Sequence, residues 1–310
     1  MTTIPKCSHF VQASTVSSSD CIVRARFRFI PGFQVVGQVC ALGTMVDPLK
    51  ISLGGRVAAL LPKGGGNAKY ISIPVSWAIL LPKSASHDDI ICLVANYMTA
   101  YQCLKLAKKD GAPLTNANVL ITGGSGPVGQ ALIELAFQDG ANVFATAHEM
   151  HKEYLTKLGA QWLCLKTQQW LPQLEGKMDV VIDLLKIDGY KSSHQALNRD
   201  GILICFVDKA SEVQHDMSWW DTIKAKFFWN PPIMYDLIGS FRKNPTMFAQ
   251  ELSYLIWKLQ RGEIRPKVAG RVTLNLVPKA MQFIEEGLPS KFPSSKEPSQ
   301  TVPMALIYAQ

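Results

Sequence analysis

The pattern of apolar and polar positions changes character near residue 82. Before that point, apolar residues form short or alternating runs broken by glycine and proline, for example 33–43 (FQVVGQVCALG) and 55–62 (GRVAALLP). Runs of this length, spaced about ten residues apart with turn residues between them, are typical of the strands of a barrel or sandwich. Residues 10–82 are therefore predicted to form an all-β unit.

Helical signals follow directly. The stretch 84–109 offers Ser86 as an N-cap, acidic residues in its first turn and lysines in its last turn, an arrangement that complements the helix dipole. Residues 216–262 are rich in aromatic side chains, and we interpret them as a helical last crossover and covering layer of a sheet. Residues 271–287 predict one strand and one helix, and 304–310 predict a final strand.

Between these segments, strands and helices alternate. The strands are rich in Val, Ile and Leu on both faces, which is typical of a parallel sheet covered by helices. The predicted fold class is therefore α/β, with a doubly wound parallel sheet of the Rossmann type. The predicted strands cover 118–124, 141–147, 161–165, 178–185 and 201–207, and the predicted helices cover 127–140, 149–160 and about 189–198.

Three glycines stand at the first strand-to-helix turn of this region. Gly124, Gly126 and Gly129 satisfy the spacing G-x-G-x-x-G directly after an apolar strand and at the start of a helix, the context that the motif requires. The first glycine then allows a tight turn, the second lets the backbone approach a pyrophosphate, and the third allows close packing of helix on strand. Pro127 suits the first helical turn, Ser125 adds a hydroxyl, and the helix N-terminus supplies N–H groups for phosphate. A dinucleotide-binding loop is predicted; a glycine-rich turn without a ligand is the alternative.

The end of the second strand of this region decides which dinucleotide is expected. NAD sites place Asp or Glu there to bind the ribose hydroxyls, whereas this chain has Ala147 and His148, and the nearest acid, Glu149, lies beyond the strand. Without that acid a 2′-phosphate is not repelled, and His148, His151 and Lys152 are placed to complement it. Each of the three also suits a solvated surface position. The missing acid favours NADPH over NADH.

Composition narrows the function classes further. The 310 residues are 47% hydrophobic and 18% charged, which is enough for two folded cores. The net charge of +8 is scattered along the chain, which favours a solvated basic surface over a nucleic-acid or anionic-membrane partner. Seven single cysteines without a C-x-x-C pair indicate a reducing compartment, hence a cytoplasmic protein. No apolar run approaches the length of a membrane span.

Several segments resemble a known family in their order and spacing, and the likeness extends from about Asp20 to Gly287. The chain is similar to zinc-independent members of the medium-chain dehydrogenase/reductase superfamily, in the quinone oxidoreductase branch. The matching segments are 17–24 (SSSDCIVR), 31–39 (PGFQVVGQV), 55–60 (GRVAAL), 93–104 (LVANYMTAYQCL), 121–129 (ITGGSGPVG), 158–160 (LGA), 180–185 (VVIDLL), 264–268 (IRPKV) and 284–287 (IEEG).

The resemblance implies two domains and a set of site residues. A GroES-like β-barrel domain for substrate and catalysis, N-terminally shortened, is expected over 1–94 and 266–310, and a Rossmann domain over 95–265, with the active cleft between them. Asn96 and Thr99 are expected to face the nicotinamide, and Tyr97 is a candidate proton donor whose helical spacing also suits the core. Together these three are the candidate catalytic residues. Cofactor contacts are implied for Thr99, Gly124, Ser125, Gly126, Pro127, Val128, Gly129, His148, Lys152, Leu184, Phe206 and Val207.

The expected chemistry needs no metal. Zinc relatives place His-Glu after the Pro-Gly turn, whereas this chain has Phe33 and Gln34, and its six histidines show no zinc-ligand spacing with cysteine. Hydride transfer from a nicotinamide to an electron-poor carbon requires positioning of the acceptor and hydrogen-bond donors for the developing oxyanion. The expected substrate is therefore a small apolar carbonyl compound or quinone.

One departure from the family leaves two function classes open. The segment from Arg24 to Pro31 is shorter than the family loop that helps to wall the substrate pocket. The first class is an NADPH-dependent quinone or enone reductase, expected as a homodimer. The second is a catalytically silent NADPH-binding paralogue that acts as a binding, regulatory or membrane-associated protein.

Overall fold

The structure is a computed structural model that groups the chain into two compact units. One unit joins the residues up to Met98 to those from Ile238 onward, and the other is Thr99–Leu237. The residues described are 5–17, 20–21, 30–47, 49–84, 86–108, 111–167, 169–206, 231–268, 270–286 and 304–307.

The described residues form thirteen strands and nine α-helices. In chain order the strands are β1 (Lys6–Val16), β2 (Gln34–Leu42), β3 (Arg56–Leu60), β4 (Tyr70–Pro74), β5 (Ile79–Leu80), β6 (Asn118–Thr122), β7 (Asn142–Ala147), β8 (Gln161–Cys164), β9 (Met178–Asp183), β10 (Leu197–Phe206), β11 (Ile233–Tyr235), β12 (Gly270–Thr273) and β13 (Met304–Ile307). The helices are α1 (His87–Cys92), α2 (Met98–Ala107), α3 (Pro127–Gln138), α4 (Lys152–Lys157), α5 (Leu171–Leu174), α6 (Lys191–Ala196), α7 (Leu237–Lys243), α8 (Pro245–Gln260) and α9 (Val277–Glu285).

The first unit contains a mostly antiparallel sheet. Its strands lie in the order β12-β13-β1-β2-β3-β5, and β4 also pairs with β1. Residues of β1 are alternately buried from Lys6 to Ala13, as the period-two pattern of a strand with one covered face requires, and its last residues, up to Val16, are all buried. The all-β unit predicted from the first part of the chain is confirmed. Its buried core consists of Cys7, Val11, Val35, Val39, Ile51, Val57, Ala59, Leu61 and Ile73.

The second unit contains a parallel six-stranded sheet in the order β11-β10-β9-β6-β7-β8. Every pairing in it is parallel. The chain starts at β6, extends outward to β8, and then returns to build β9, β10 and β11 on the other side. The order reverses between β6 and β9, and open sheets of this kind bind ligands beyond the carboxyl ends of their strands at that point. The predicted Rossmann-type sheet is confirmed.

The helical prediction for 216–262 is wrong at Ile233–Tyr235, which forms a strand. This strand, β11, pairs in parallel with the end of β10. Pro231 and Pro232 precede it, and two consecutive prolines remove backbone donors and end a helix. Its Tyr235 hydroxyl donates to Gln102 Oε1 at 2.6 Å, which ties the strand to α2. The earlier part of the segment, up to residue 230, lies outside the described residues.

Helices α7 and α8 group with the β unit rather than with the parallel sheet. The edge of the Phe241 ring meets Trp77, which follows β4, with ring centroids 5.8 Å apart, and Phe241 also meets Phe248 of α8 at 5.1 Å. These aromatic contacts hold the two helices against the first unit. The predicted domain bounds, 1–94 with 266–310 and 95–265, and the functions of the two domains stay predictions.

The helix predicted over 84–109 is present as one run from His87 to Ala107. Ser86 is its N-cap residue, as predicted. Between α1 and α2 the chain makes a π-helical turn over Leu93–Tyr97. This run is long and apolar enough to cross a membrane by length and composition, but 72% of its apolar window is buried inside the protein. Such burial is typical of the core helix of a globular unit.

A buried histidine makes the stability of the first unit depend on pH. His9 of β1 is 1% exposed, and its Nε2 lies 3.3 Å from Cys7 Sγ. Burial lowers the pKa of His9 from 6.5 to about 4 and raises the pKa of the Cys7 thiol to about 11. Between pH 6.5 and 4 the unfolded chain therefore binds a proton that the folded chain does not. The contribution of neutral His9 to the free energy of unfolding is therefore fully present above pH 6.5 and is lost as the pH falls towards 4.

We expect His9 to account for a loss of about 2 kcal/mol between pH 7.5 and pH 5 in the free energy of unfolding. Guanidinium unfolding at the two pH values measures this loss, which is expected to shrink by most of that amount in His9→Leu. The half-exposed His87 is the control, and His87→Leu should keep the full dependence. An unchanged pH dependence in His9→Leu contradicts the assignment.

Candidate functional site

The candidate site lies at the carboxyl ends of β6, β7 and β9, where the glycine loop joins β6 to α3. The positive φ that the turn requires falls on Gly123, at +74°, one residue before the predicted motif. The amide of Gly124 donates to Thr146 O at 2.9 Å, and that of Gly123 donates to Thr146 Oγ1 at 3.2 Å. The loop is thereby tied to the end of the neighbouring strand β7.

The three motif positions carry glycine for different physical reasons. A Cβ on Gly129 would lie 2.4 Å from Gly123 O and 2.8 Å from Gly124 Cα, and one on Gly124 would lie 2.8 Å from Ala145 Cβ. Packing of helix and strand therefore requires both glycines. Gly126 differs, because its φ of −69° suits any residue and, among the described residues, its added Cβ would meet only Gly123 O at an ordinary 3.5 Å. Glycine is favoured at an N-cap position, but no close contact within the described part of the chain demands it at 126.

The start of α3 is shaped to receive an anion. Gly126 is the N-cap residue and Pro127 the first helical residue, and the first-turn N–H groups of a helix have no partners within it. Gln130 Nε2 donates to Ser125 O at 2.6 Å, and Tyr154 Oη donates to Gln130 Oε1 at 3.2 Å. Burial, and then the charge of Glu134, raise the pKa of Tyr154, so its phenol remains a hydrogen-bond donor at neutral pH. These two hydrogen bonds connect the glycine loop, through Gln130 of α3, to Tyr154 of α4 and so restrict its movement.

The end of β7 carries no acid. Its last residues, Thr146 and Ala147, are buried, and His148 is exposed. Glu149 begins a short 3-10 turn, and Lys152 is the first residue of α4. Lys152, exposed like His148, lies with its Nζ 5.1 Å from the centre of the Trp162 ring on β8. The arrangement offers exposed basic groups beside the strand end.

A buried carboxylate organises the loop after β9. Asp183 is 4% exposed and accepts hydrogen bonds from Thr122 Oγ1 at 2.7 Å and Ser193 Oγ at 2.6 Å. The amides of Leu185 and Lys186 donate to the same carboxylate at 2.9 and 3.0 Å. Asp183 thus joins β6, α6 and the loop after β9.

The loop after β9 is held directly against the glycine loop. The Leu184 amide donates to Thr122 Oγ1 at 3.1 Å. The Leu185 side chain covers the glycine turn, because a Cβ on Gly123 would lie 3.0 Å from it. Of the other predicted cofactor contacts, Phe206 is the last residue of β10, whereas Val207 lies outside the described residues. The roles of these residues stay predictions.

The candidate catalytic residues follow one another along one helical run. Asn96 and Tyr97 lie in the π-helical turn, a feature frequent at functional sites. Asn96 is half-buried and Tyr97 is buried, and Thr99 in the first turn of α2 is also buried. Their catalytic roles stay predictions. Among the described residues, no three His, Cys, Asp or Glu side chains are grouped to hold a metal ion, and a metal-free site likewise stays a prediction.

Sequence reasoning missed four residues of the candidate site. Gly123 and Leu185 were overlooked because their contact joins loops sixty residues apart in the chain, and Trp162 because its partners lie on other elements. The signal for Asp183 was present: an ionisable residue ends the otherwise apolar run VVID, and a charge at such a buried position needs several donors.

Comparison with known proteins agrees with the predicted resemblance. No family model matches the chain. The quinone oxidoreductase-like protein 2 homolog of Nematostella vectensis is 35% identical over 116 residues, 37% of this chain and 29% of that protein. The 2-methylene-furan-3-one reductase of Solanum lycopersicum is 30% identical over 164 residues, 50% of this chain and 41% of that protein. The matches thus cover less than half the length of these two relatives.

The solved structures show the same fold. The crystal structure of 2-haloacrylate reductase superposes with a TM-score of 0.76 at 21% identity, covering 98% of this chain and 91% of that one. The superposition shows the fold of both units, a parallel Rossmann-type sheet and a mostly antiparallel β unit. In sequence the chain resembles quinone oxidoreductase-like proteins, which supports the predicted resemblance to the quinone oxidoreductase branch of the medium-chain dehydrogenase/reductase superfamily.

The residues present fit a dinucleotide. The α3 helix begins directly after the carboxyl end of β6 without a side-chain cap on Gly126, and the first-turn N–H groups of a helix have no partners within it. Gly126 leaves empty the space that a Cβ would take, although neither packing nor backbone conformation demands a glycine there. The pyrophosphate of a dinucleotide is the group that needs such close approach of the backbone.

Proposed function

We propose that the chain is an NADPH-dependent, zinc-independent reductase that transfers hydride to a quinone or an α,β-unsaturated carbonyl compound. The observation that carries the proposal is Gly126, where neither a positive φ nor a close contact among the described residues demands a glycine, whereas close approach of a pyrophosphate to the loop backbone would. The order of the parallel sheet supports it, since the loop lies where the strand order reverses.

The end of β7 supports the choice of NADPH. A 2′-phosphate carries negative charge, and the acid that would repel it is replaced by Ala147 and the exposed His148. Lys152 at the start of α4 supplies the opposite charge. Glu149 is exposed in the intervening turn, where solvent screens its charge. We assign Gly124–Gly129 to the pyrophosphate, and His148 and Lys152 to the 2′-phosphate.

Bound NADPH would supply the hydride, and the chain's own residues would orient the acceptor and stabilise the charge that develops on it. We assign the orienting amide and hydroxyl to Asn96 and Thr99, and the proton donor to the Tyr97 phenol. Tyr97 and Thr99 are buried and Asn96 is half-buried, and a donor acts more strongly the lower the dielectric around it. The π-helical turn supports the assignment, because it gives Asn96 a different direction from that of a regular helix.

The names of two comparison proteins support the substrate class. The names 2-methylene-furan-3-one reductase and 2-haloacrylate reductase both denote reduction of a compound in which a C=C bond is conjugated with a carbonyl group. A quinone presents the same electron-poor conjugated system. We therefore propose a small apolar acceptor of this type.

Thermal-shift measurements with NADPH and NADH, followed by a turnover screen, test the function. We expect NADPH to raise the melting temperature more than NADH, and NADPH to be consumed with quinones or enones. A raised melting temperature without turnover across the panel would identify a silent binding protein instead. No shift with either nucleotide contradicts the cofactor assignment itself.

Asn96→Ala tests the catalytic assignment. Removing an orienting amide is expected to lower kcat about 10- to 100-fold and to leave the dissociation constant of NADPH unchanged, because the substitution leaves the glycine loop intact. Steady-state kinetics and nucleotide titration measure the two quantities. Gln195, exposed on α6 and outside the proposed site, is the control: Gln195→Ala should leave kcat unaltered. A kcat of Asn96→Ala equal to that of the wild type rules out the role.

We also propose a cytoplasmic homodimer. All seven cysteines are free, which suits a reducing compartment. Sedimentation equilibrium checks the oligomeric state, for which twice the mass of 34.2 kDa is expected.

A further inference from the structure

An indole ring supports the lysine that we assign to the 2′-phosphate. Lys152 begins α4, whereas Trp162 lies on β8, the strand next to β7, with its backbone in register with Ala145. The ammonium Nζ of Lys152 is 5.1 Å from the ring centre, within the range of a cation–π interaction. Because the two residues lie on different elements, α4 and β8, the folding of these elements against each other brings them into contact.

The ring itself is fixed to the strand end. Trp162 Nε1 donates to the carbonyl oxygen of Ala147 at 3.2 Å, and the same oxygen accepts the Leu165 amide at 3.1 Å. Ala147 is the residue at which β7 ends. The indole therefore sets the distance between the Lys152 ammonium and the position where a cofactor ribose is expected.

A support of this kind matters because lysine is flexible. An exposed lysine loses considerable rotamer freedom when it is held on a ligand, and a ring that already restricts it reduces that loss. The acid next in sequence does not compete, since Glu153 is paired with Lys157 at 2.6 Å. The observed pose of Lys152 is therefore set by the ring.

We propose that Trp162 is a positioning residue for cofactor specificity, which holds Lys152 ready for the 2′-phosphate and so favours NADPH over NADH. The inference rests on the proposed function, because it assumes that the site binds NADPH. It adds a determinant on β8, a strand outside the glycine loop and the end of β7.

Trp162→Leu tests the proposal through the two nucleotides separately. The dissociation constant of NADPH is expected to rise about fivefold, equivalent to about 1 kcal/mol, while that of NADH stays unchanged. Trp162→Phe keeps an aromatic face under the ammonium and should recover most of the NADPH affinity. A merely structural role for Trp162 would weaken both nucleotides equally. Melting temperatures without nucleotide show that each variant is folded.

A double-mutant cycle with Lys152→Gln sharpens the test. If the ring acts through the lysine, Trp162→Leu should have no further effect on NADPH once Lys152 is replaced. The matched control is Trp257 of α8, an exposed tryptophan beneath the guanidinium of Arg261, whose Cζ lies 4.6 Å from the ring centre. Trp257→Leu should leave both dissociation constants unchanged.

The outcomes separate the two proposals. If Lys152→Gln weakens NADPH but Trp162→Leu does not, or if the two effects add, the role of Trp162 is wrong and the reductase proposal stands. If Lys152→Gln leaves NADPH binding unchanged, Lys152 does not contact the 2′-phosphate and the role proposed for Trp162 is wrong, while the assignment of the glycine loop to the pyrophosphate remains. If the wild-type protein binds neither nucleotide, both proposals are overturned.

Discussion

Gly126→Ala is expected to weaken NADPH binding about 10- to 100-fold while the protein remains as stable as the wild type. Among the described residues, the added methyl group meets only Gly123 O at 3.5 Å, and the φ of −69° accepts alanine. The free energy of unfolding should therefore change by less than about 0.5 kcal/mol. The same methyl group occupies the space through which the pyrophosphate reaches the loop, and each lost hydrogen bond to a charged group costs about 1.5–3 kcal/mol.

Gly129→Ala is the matched control, because it adds the same methyl group three residues away. Its Cβ would lie 2.4 Å from a backbone oxygen, which cannot move without shifting the turn. We expect a loss of about 3 kcal/mol in the free energy of unfolding. Thermal melting and fluorescence titration with NADPH distinguish the two variants. If Gly126→Ala binds NADPH as tightly as the wild type, the glycine loop does not hold a pyrophosphate.

The parallel sheet could be predicted well from the sequence because strands that are buried on both faces consist mostly of apolar residues. The strands 118–124 and 178–185 read as continuous apolar runs, and both appear as central strands, β6 and β9. The G-x-G-x-x-G spacing likewise placed the loop correctly, since its position between a strand and a helix is a local property. Local patterns were therefore sufficient for the elements and the motif.

The prediction failed where the structure depends on contacts between distant residues. Ile233–Tyr235 is too short to show a period, and its pairing with β10 is decided by a neighbour about thirty residues earlier in the chain. The contact between Phe241 of α7 and Trp77 is likewise one that no local pattern reports. The contact between Gly123 and Leu185 has the same origin, since Leu185 lies on another loop.

The same limit applies to electrostatics. Lys152 was predicted as a phosphate contact from its position after β7, but its support by Trp162 appears only once β8 is placed beside β7. The sequence shows Asp183 only as part of the segment VVIDLL, whereas in the structure it accepts hydrogen bonds from side chains on β6 and α6. Residue types at strand ends can thus be predicted from sequence, but the partners that orient them cannot.

Asp183→Leu is expected to be the most destabilising single substitution near the site. It leaves two hydroxyls and two backbone amides, those of Leu185 and Lys186, without their acceptor. Unsatisfied buried donors cost about 1–3 kcal/mol each. Because the hydroxyls can rotate towards other acceptors, we expect a total loss of about 4 kcal/mol. In a protein of this size, that corresponds to a fall in melting temperature of about 10 °C.

Asp188→Leu is the control, since Asp188 belongs to the same loop but is exposed and accepts a bond from the Ser192 amide. Guanidinium unfolding should show a change below about 1 kcal/mol for this variant. Asp183→Asn separates stability from binding, because the amide retains one acceptor oxygen and a similar shape. It should remain folded, yet bind NADPH less tightly, because the Lys186 residue that Asp183 holds at a φ of +50° can relax and move the loop away from the glycine turn. If Asp183→Leu costs no more than Asp188→Leu, the carboxylate does not organise this edge of the sheet, and the contact between Leu185 and Gly123 must be maintained by packing alone.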